Sequence, residues 1–213
     1  MAKKLFCCLS PVILILLCGI FAFMFKDLLS VWIYIPSIMV LYWGLTLILI
    51  QIGIKLPNIK SVFSKPEGKI YWLFIAIIVG ILPLITFLDN YQIVNIPLGL
   101  IILMLFSLVN AFFEELFWRG FILNYTFSSK ILSFFYSAVL FTASHFVWGI
   151  TSLAVRNIYT IVSVFIMAVA WNIINIKTKS IRWCIVSHFL ADVLGLSLLS
   201  LLNIYIPAAG LLY

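Results

Sequence analysis

The sequence predicts an all-α polytopic membrane helix bundle of about seven to eight transmembrane helices. Two observations carry that expectation. Of 213 residues, 66% are hydrophobic and only 9% charged, whereas a soluble domain carries about 25% charged residues. Apolar runs of some twenty residues then recur along the chain, the length that a hydrocarbon core of about 30 Å demands of a helix. Such a chain cannot clothe a water-facing surface. Disorder, nucleic-acid binding and a secreted disulfide scaffold all require polar residues or cysteines that it lacks.

The elements follow in order. Lys3 and Lys4 precede an apolar run over residues 6–25 that resembles a signal peptide. No small-residue cleavage site follows, and Leu16 and Leu17 before Cys18 make a poor lipoprotein site, so the run reads as an uncleaved first helix. The second run covers 29–54. Pro57, Pro66 and Gly68 mark the polar loop before the third, over 70–88. Asp89, Asn90 and the stretch from Asn95 to Pro97 separate it from the fourth, 97–123, and Asn124 to Lys130 separate that from the fifth, 131–150. The sixth and seventh cover 158–176 and 183–203. The tail from Tyr205 to Tyr213 is too short to span, although Pro207 could start a partial eighth helix. Residues 1–96 thus form an N-terminal group of three spans, and 97–213 a helical core.

Charge orients the chain. With the N-terminus inside, the cytoplasmic ends receive Lys3, Lys4, Lys55, Lys60, Lys65, Lys69, Lys130, Lys177, Lys179 and Arg182, and the outer ends only Lys26 and Arg156. That positive-inside bias places the N-terminus in the cytoplasm. Cys7, Cys8, Cys18 and Cys184 lack CxxC spacing and read as small buried hydrophobes.

Six ionisable residues fall within the apolar runs: Glu114, Glu115, Arg119, His145, His188 and Asp192. Charged types cost about 2.5 kcal/mol or more at a helix centre, so their retention implies a shared polar interior. Glu115 and Arg119 stand four apart, on one helical face, and can pair. Glu114 is rotated by about 100° from Glu115 and is free to meet other helices, which makes it the better candidate base. His188 and Asp192 again stand four apart, an imidazole beside an acceptor. Counting along the helices puts Glu114 and His188 in the cytoplasmic half. His145 falls nearer the midplane or beyond, so that a tilted or broken helix is needed to bring it to Glu114.

Glu114, Glu115 and Arg119, then Phe141 with His145, then His188 with Asp192, resemble the EExxxR, FxxxH and HxxxN/D motifs of the CPBP family, also called the CAAX protease or Abi family. The resemblance covers about residues 97–203 and uses both histidines of the chain. It implies an intramembrane endopeptidase that cuts a peptide or lipidated protein near the cytoplasmic leaflet; in the eukaryotic branch the last three residues of a prenylated CAAX protein are removed. It further implies that Glu114 and His145 activate a water, and that His188 with the residue four further on stabilises the oxyanion. Bacterial relatives are linked to bacteriocin self-immunity and to maturation of signalling peptides, which suggests a bacterial plasma membrane.

The departure is Asp192. An asparagine there has an amide N–H to donate, whereas an ionised aspartate only accepts and would repel an oxyanion. Either His188 is the donor and Asp192 orients it, or Asp192 is protonated by burial, or a metal is present. No cofactor is the preferred reading, with zinc held by Glu114, His145 and His188 as the alternative. The expected partners are the substrate and the lipid bilayer, with no nucleic acid; oligomeric state is left open. A metalloprotease, a non-catalytic immunity or scaffold protein and a proton-coupled transporter are the competing classes. Ser144 and Ser187 each precede a histidine, but adjacent helical residues diverge by about 100°, against a nucleophile-base pair. Asn110 and Trp118 share the face of Glu114; either could line the cavity, with packing the preferred reading. Asn172 and Asn175 read as helix-to-helix hydrogen bonders, and most aromatics as lipid-facing or interfacial filler.

Overall fold

The computed structural model describes residues 2–54, 56–95, 98–150 and 156–205, and among these it is helical with no strand. Seven helical stretches are long and apolar enough to cross a membrane: Lys3–Phe25, Trp32–Ile54, Tyr71–Asp89, Gly99–Tyr125, Lys130–Gly149, Ile158–Thr178 and Arg182–Leu202. They coincide with the seven apolar runs. The expectation of a partial eighth helix at Pro207 lies outside the described residues.

The first two spans are α1 (Ala2–Phe25) and α2 (Val31–Ile54). The third is broken into α3 (Tyr71–Gly80) and α4 (Leu84–Asp89), because Pro83 has no N–H to continue the ladder and its ring crowds the preceding turn. The fourth consists of α5 (Gly99–Glu115), a π-helical segment (Leu116–Ile122) and the short α6 (Leu123–Tyr125). The fifth is α7 (Lys130–Gly149) and the sixth α8 (Ile158–Thr178), each started by a capping side chain: Ser129 accepts from the Leu132 N–H at 3.5 Å, and Asn157 from the Tyr159 N–H at 2.9 Å. The seventh is α9 (Arg182–Leu194) followed by α10 (Leu196–Tyr205).

Helix α9 is the centre of the bundle, packed between α5 and α3. Gly80 permits the approach of α3, since a Cβ there would lie 2.5 Å from the Ser187 carbonyl oxygen. At the opposite side α7 packs on α8, and α1 closes the bundle against α2 and α7. The N-terminal end of α1 is tied to the fourth-to-fifth connection, where Lys4 Nζ donates to Ser128 Oγ at 2.7 Å.

Candidate active site

The π-helical segment begins immediately after Glu115. A π turn is wider than an α turn, and here side chains add hydrogen bonds to its carbonyls. Ser137 Oγ donates to the Trp118 carbonyl at 3.0 Å, and Asn124 Nδ2 donates to the carbonyls of Arg119 at 2.6 Å and Gly120 at 3.3 Å. The fourth span thus departs from α geometry directly after Glu115, whereas α7, which carries His145, runs as one helix.

Arg119 is wholly buried. Its NH1 donates to Glu115 Oε1 at 3.0 Å, its Nε to Asn172 Oδ1 at 3.2 Å and its NH2 to the Ala168 carbonyl at 3.3 Å. The guanidinium also sits 4.4 Å from the centre of the Phe141 ring and 5.0 Å from that of Trp171. Together these contacts offset its loss of water. Asn172 completes the brace by donating its Nδ2 to the Phe134 carbonyl at 2.9 Å.

Both glutamates meet His188, from two sides of its ring. Nδ1 lies 2.7 Å from Glu115 Oε1, and Nε2 lies 3.3 Å from Glu114 Oε2. The turn of about 100° between adjacent residues is what lets neighbours on α5 reach different edges of one imidazole. Both four-residue pairs meet, and each has a further partner. Glu115, paired with Arg119, also accepts from His188. Asp192 pairs with His188 at 3.7 Å from Nε2 and has a closer partner in Asn110, whose Nδ2 donates to Oδ2 at 2.8 Å.

Asn110 is thus not packing. Its Oδ1 accepts from Trp43 Nε1 at 3.2 Å, which fixes the amide so that Nδ2 faces Asp192. Trp118 is likewise a hydrogen-bonding residue, donating to the Tyr42 hydroxyl at 3.0 Å, and that hydroxyl bonds the Glu114 carboxylate. The reading of the aromatics as filler fails for the inner ones. Trp171 stacks on His188 at 4.3 Å between ring centres and donates its Nε1 to Ser187 Oγ at 2.8 Å; Phe141 presents its ring to His145, His188 and Trp171. Ser187 is consequently an acceptor for an indole, and Ser144 donates back to the Phe141 carbonyl at 2.6 Å. Trp43 and Tyr42 escaped sequence reasoning because nothing in an apolar second span distinguishes them from neighbours.

His145 Nδ1 is held by the Phe141 carbonyl at 2.9 Å, leaving Nε2 for other chemistry. Two cavities adjoin it. The smaller, about 30 Å³, is lined by Asn110, Glu114, His145, Asp192, Ser197 and Ser200 among others, and has room for a water molecule. The larger, about 330 Å³, is lined by His145, His188 and Asp192 together with Phe141, Trp171 and a mostly apolar wall from α4, α8 and α10. His145 and Asp192 border both cavities. Glu114 borders only the small one, where its Oε2 is buried without a hydrogen bond, and His188 only the large one.

Nδ1 of His188 is held by Glu115 and Nδ1 of His145 by a backbone carbonyl, while Nε2 of His188 passes 3.3 Å from Glu114 Oε2. Among the described residues no three histidine, cysteine, aspartate or glutamate side chains are grouped to hold one ion. The count along the helices expected Glu114 and His188 near the basic end of the bundle; the large cleft extends from them the other way, to Thr86 and Tyr159.

Residues 95–194 match the family model described as Type II CAAX prenyl endopeptidase Rce1-like. Neither the curated proteins nor the solved structures give a match.

Proposed function

We propose, from the likeness of residues 95–194 to the Rce1-like family of type II CAAX prenyl endopeptidases, that the chain hydrolyses a peptide bond of a membrane-embedded peptide or lipidated protein with a water activated by Glu114 and His145. The observation that supports the reading is the division of the site into two cavities. The small one takes the water and holds Glu114. The large one takes the peptide and holds His188, with His145 and Asp192 between them.

The chemistry follows from that division. Glu114 accepts a proton from the water as its oxygen bonds to the peptide carbonyl carbon, and the carbonyl becomes an oxyanion. His145 Nε2 orients the water. A proton on His188 Nε2 faces the developing oxyanion from the substrate side, and Glu115 at Nδ1 fixes the ring and supports the charge it then carries. Asp192, accepting from Asn110, orients the wall and does not donate. The carbon-nitrogen bond then breaks, and the proton held by Glu114 passes to the departing amine, leaving a carboxylic acid and an amine, which become a carboxylate and an ammonium once the acid's proton is transferred. Bacteriocin self-immunity and maturation of a signalling peptide are both served by this reaction.

The test is purified protein in proteoliposomes, incubated with membrane-inserted peptides of varied sequence and read by mass spectrometry. Cleavage products that vanish in His145→Ala and His188→Ala support the reading. A scaffold role instead predicts no cleavage by the unaltered protein and a cellular phenotype that survives both substitutions.

A further inference from the structure

The large cleft lies toward one end of the bundle. Leu82 and Thr86 stand in the second half of the third span, Tyr159 and Ser163 begin the sixth, and Leu196 and Leu199 belong to the last turns of the seventh. Helix α8 is tied to the chain entering α3 at the other end, where the Glu67 N–H donates to the Thr178 carbonyl at 2.8 Å. From that tie the helices part, and the cleft opens between α4 and α8. Its rim residues Leu82, Tyr159, Ser163 and Ile166 are exposed, whereas His145, Trp171, His188 and Asp192 at its floor are buried.

The tied end is also the basic end. It carries Lys3, Lys4, Lys60, Lys65, Lys69, Lys130, Lys177, Lys179 and Arg182, and Arg182 Nε donates to the Phe63 carbonyl there at 2.7 Å. The cleft end carries Lys26 and Arg156. Both are engaged locally: Lys26 is 3.9 Å from Asp27, and Arg156 donates to the carbonyls of Gly149 and Ile150. Lysine and arginine in short connections mark the cytoplasmic side.

Building on the proteolytic reading, we propose that the cleft takes its substrate from the non-cytoplasmic half of the bilayer. The occupant is a membrane-embedded peptide segment, apolar and uncharged around its scissile bond, that enters laterally between α4 and α8. Beyond Asp192 and the two histidines the lining offers only apolar side chains and the hydroxyls of Thr86, Tyr159, Thr160 and Ser163, so a charged segment would enter without compensation.

Two measurements test this. Tyr159→Cys, made with Cys7, Cys8, Cys18 and Cys184 replaced by alanine, is treated with a membrane-impermeant maleimide in intact cells and in inverted vesicles, with Lys177→Cys as the marker of the opposite end. Labelling of Tyr159→Cys in intact cells and of Lys177→Cys in inverted vesicles alone is expected; the reverse pattern overturns the proposal. The unaltered protein is then given two leucine-alanine reporters that reach only to mid-bilayer depth, one anchored in the non-cytoplasmic leaflet and the other in the cytoplasmic leaflet. Cleavage of the first alone supports the proposal, and cleavage of the second alone overturns it. Exterior labelling with neither reporter cut upholds the sidedness of the cleft and counts against proteolysis.

Discussion

His188 Nδ1 lies 2.7 Å from Glu115 Oε1, which joins the seventh span to the fourth at the point where the fourth changes from α to π geometry. The same oxygen accepts from Arg119 at 3.0 Å. One carboxylate therefore holds both a buried cation and the imidazole that borders the cleft.

Removing that carboxylate has two separable effects. Glu115→Gln leaves Arg119 buried without its counter-charge, so stability in detergent should fall by about 3–5 kcal/mol. Glu115→Gln combined with Arg119→Met should recover much of that stability, read by thermal unfolding. Cleavage should stay depressed in the recovered double variant, with kcat lowered and KM near the original, because His188 has lost the group that orients it. Recovery of kcat along with stability would make Glu115 purely structural.

Asn110 and Asp192 form the second pairing, at 2.8 Å. Asn110→Asp brings two carboxylates together with no donor between them and should lower kcat at least as much as Asn110→Ala. Exchanging the two, Asn110→Asp with Asp192→Asn, restores a donor and an acceptor at the same separation. Partial return of activity is the expected outcome, measured as kcat on the same reporter peptide.

Reaction without a metal predicts that a chelator leaves cleavage unchanged. Elemental analysis of the purified protein, with activity assayed before and after chelation, checks it. Stoichiometric zinc with activity lost on removal and regained on addition would contradict the proposed water activation.

The approach of α3 to α9 depends on Gly80. Gly80→Val forces a side chain against the Ser187 carbonyl, for which even a Cβ is 2.5 Å away. Overpacking of this kind costs about 1–3 kcal/mol, and a lowered Tm is expected. Since Ser187 adjoins His188, reporter cleavage should fall as well.

The spans were legible because each apolar run is bounded by polar or proline-bearing stretches, and the structure places its helices on the same residues. The six intramembrane ionisable residues stood out for the same reason: in so apolar a chain, Glu114 or His188 has few rivals. Partners were less legible. Four-residue spacing joined Glu115 to Arg119 and His188 to Asp192, and both pairs meet, but the closer contacts of His188 and Asp192 cross between helices to Glu115 and Asn110. Helical periodicity fixes which residues share a face and is silent on which faces meet. The π segment was hidden for a related reason, since Ser137, one of the residues that satisfies its carbonyls, stands on another span. Tyr42, Trp43 and Trp171 carry hydrogen bonds that their apolar surroundings in sequence do not announce.

Glu114 carries the central claim. It borders the water-sized cavity, and its Oε2 makes no hydrogen bond among the described residues. Glu114→Gln keeps the size of the side chain and removes its capacity as a base. In proteoliposomes, with the variant inserted and as thermally stable as the original protein, peptide cleavage should drop by about 10²–10⁴-fold, the range set by losing a general base. Cleavage at the original rate by a correctly inserted Glu114→Gln would contradict the assignment of Glu114 as the group that activates water.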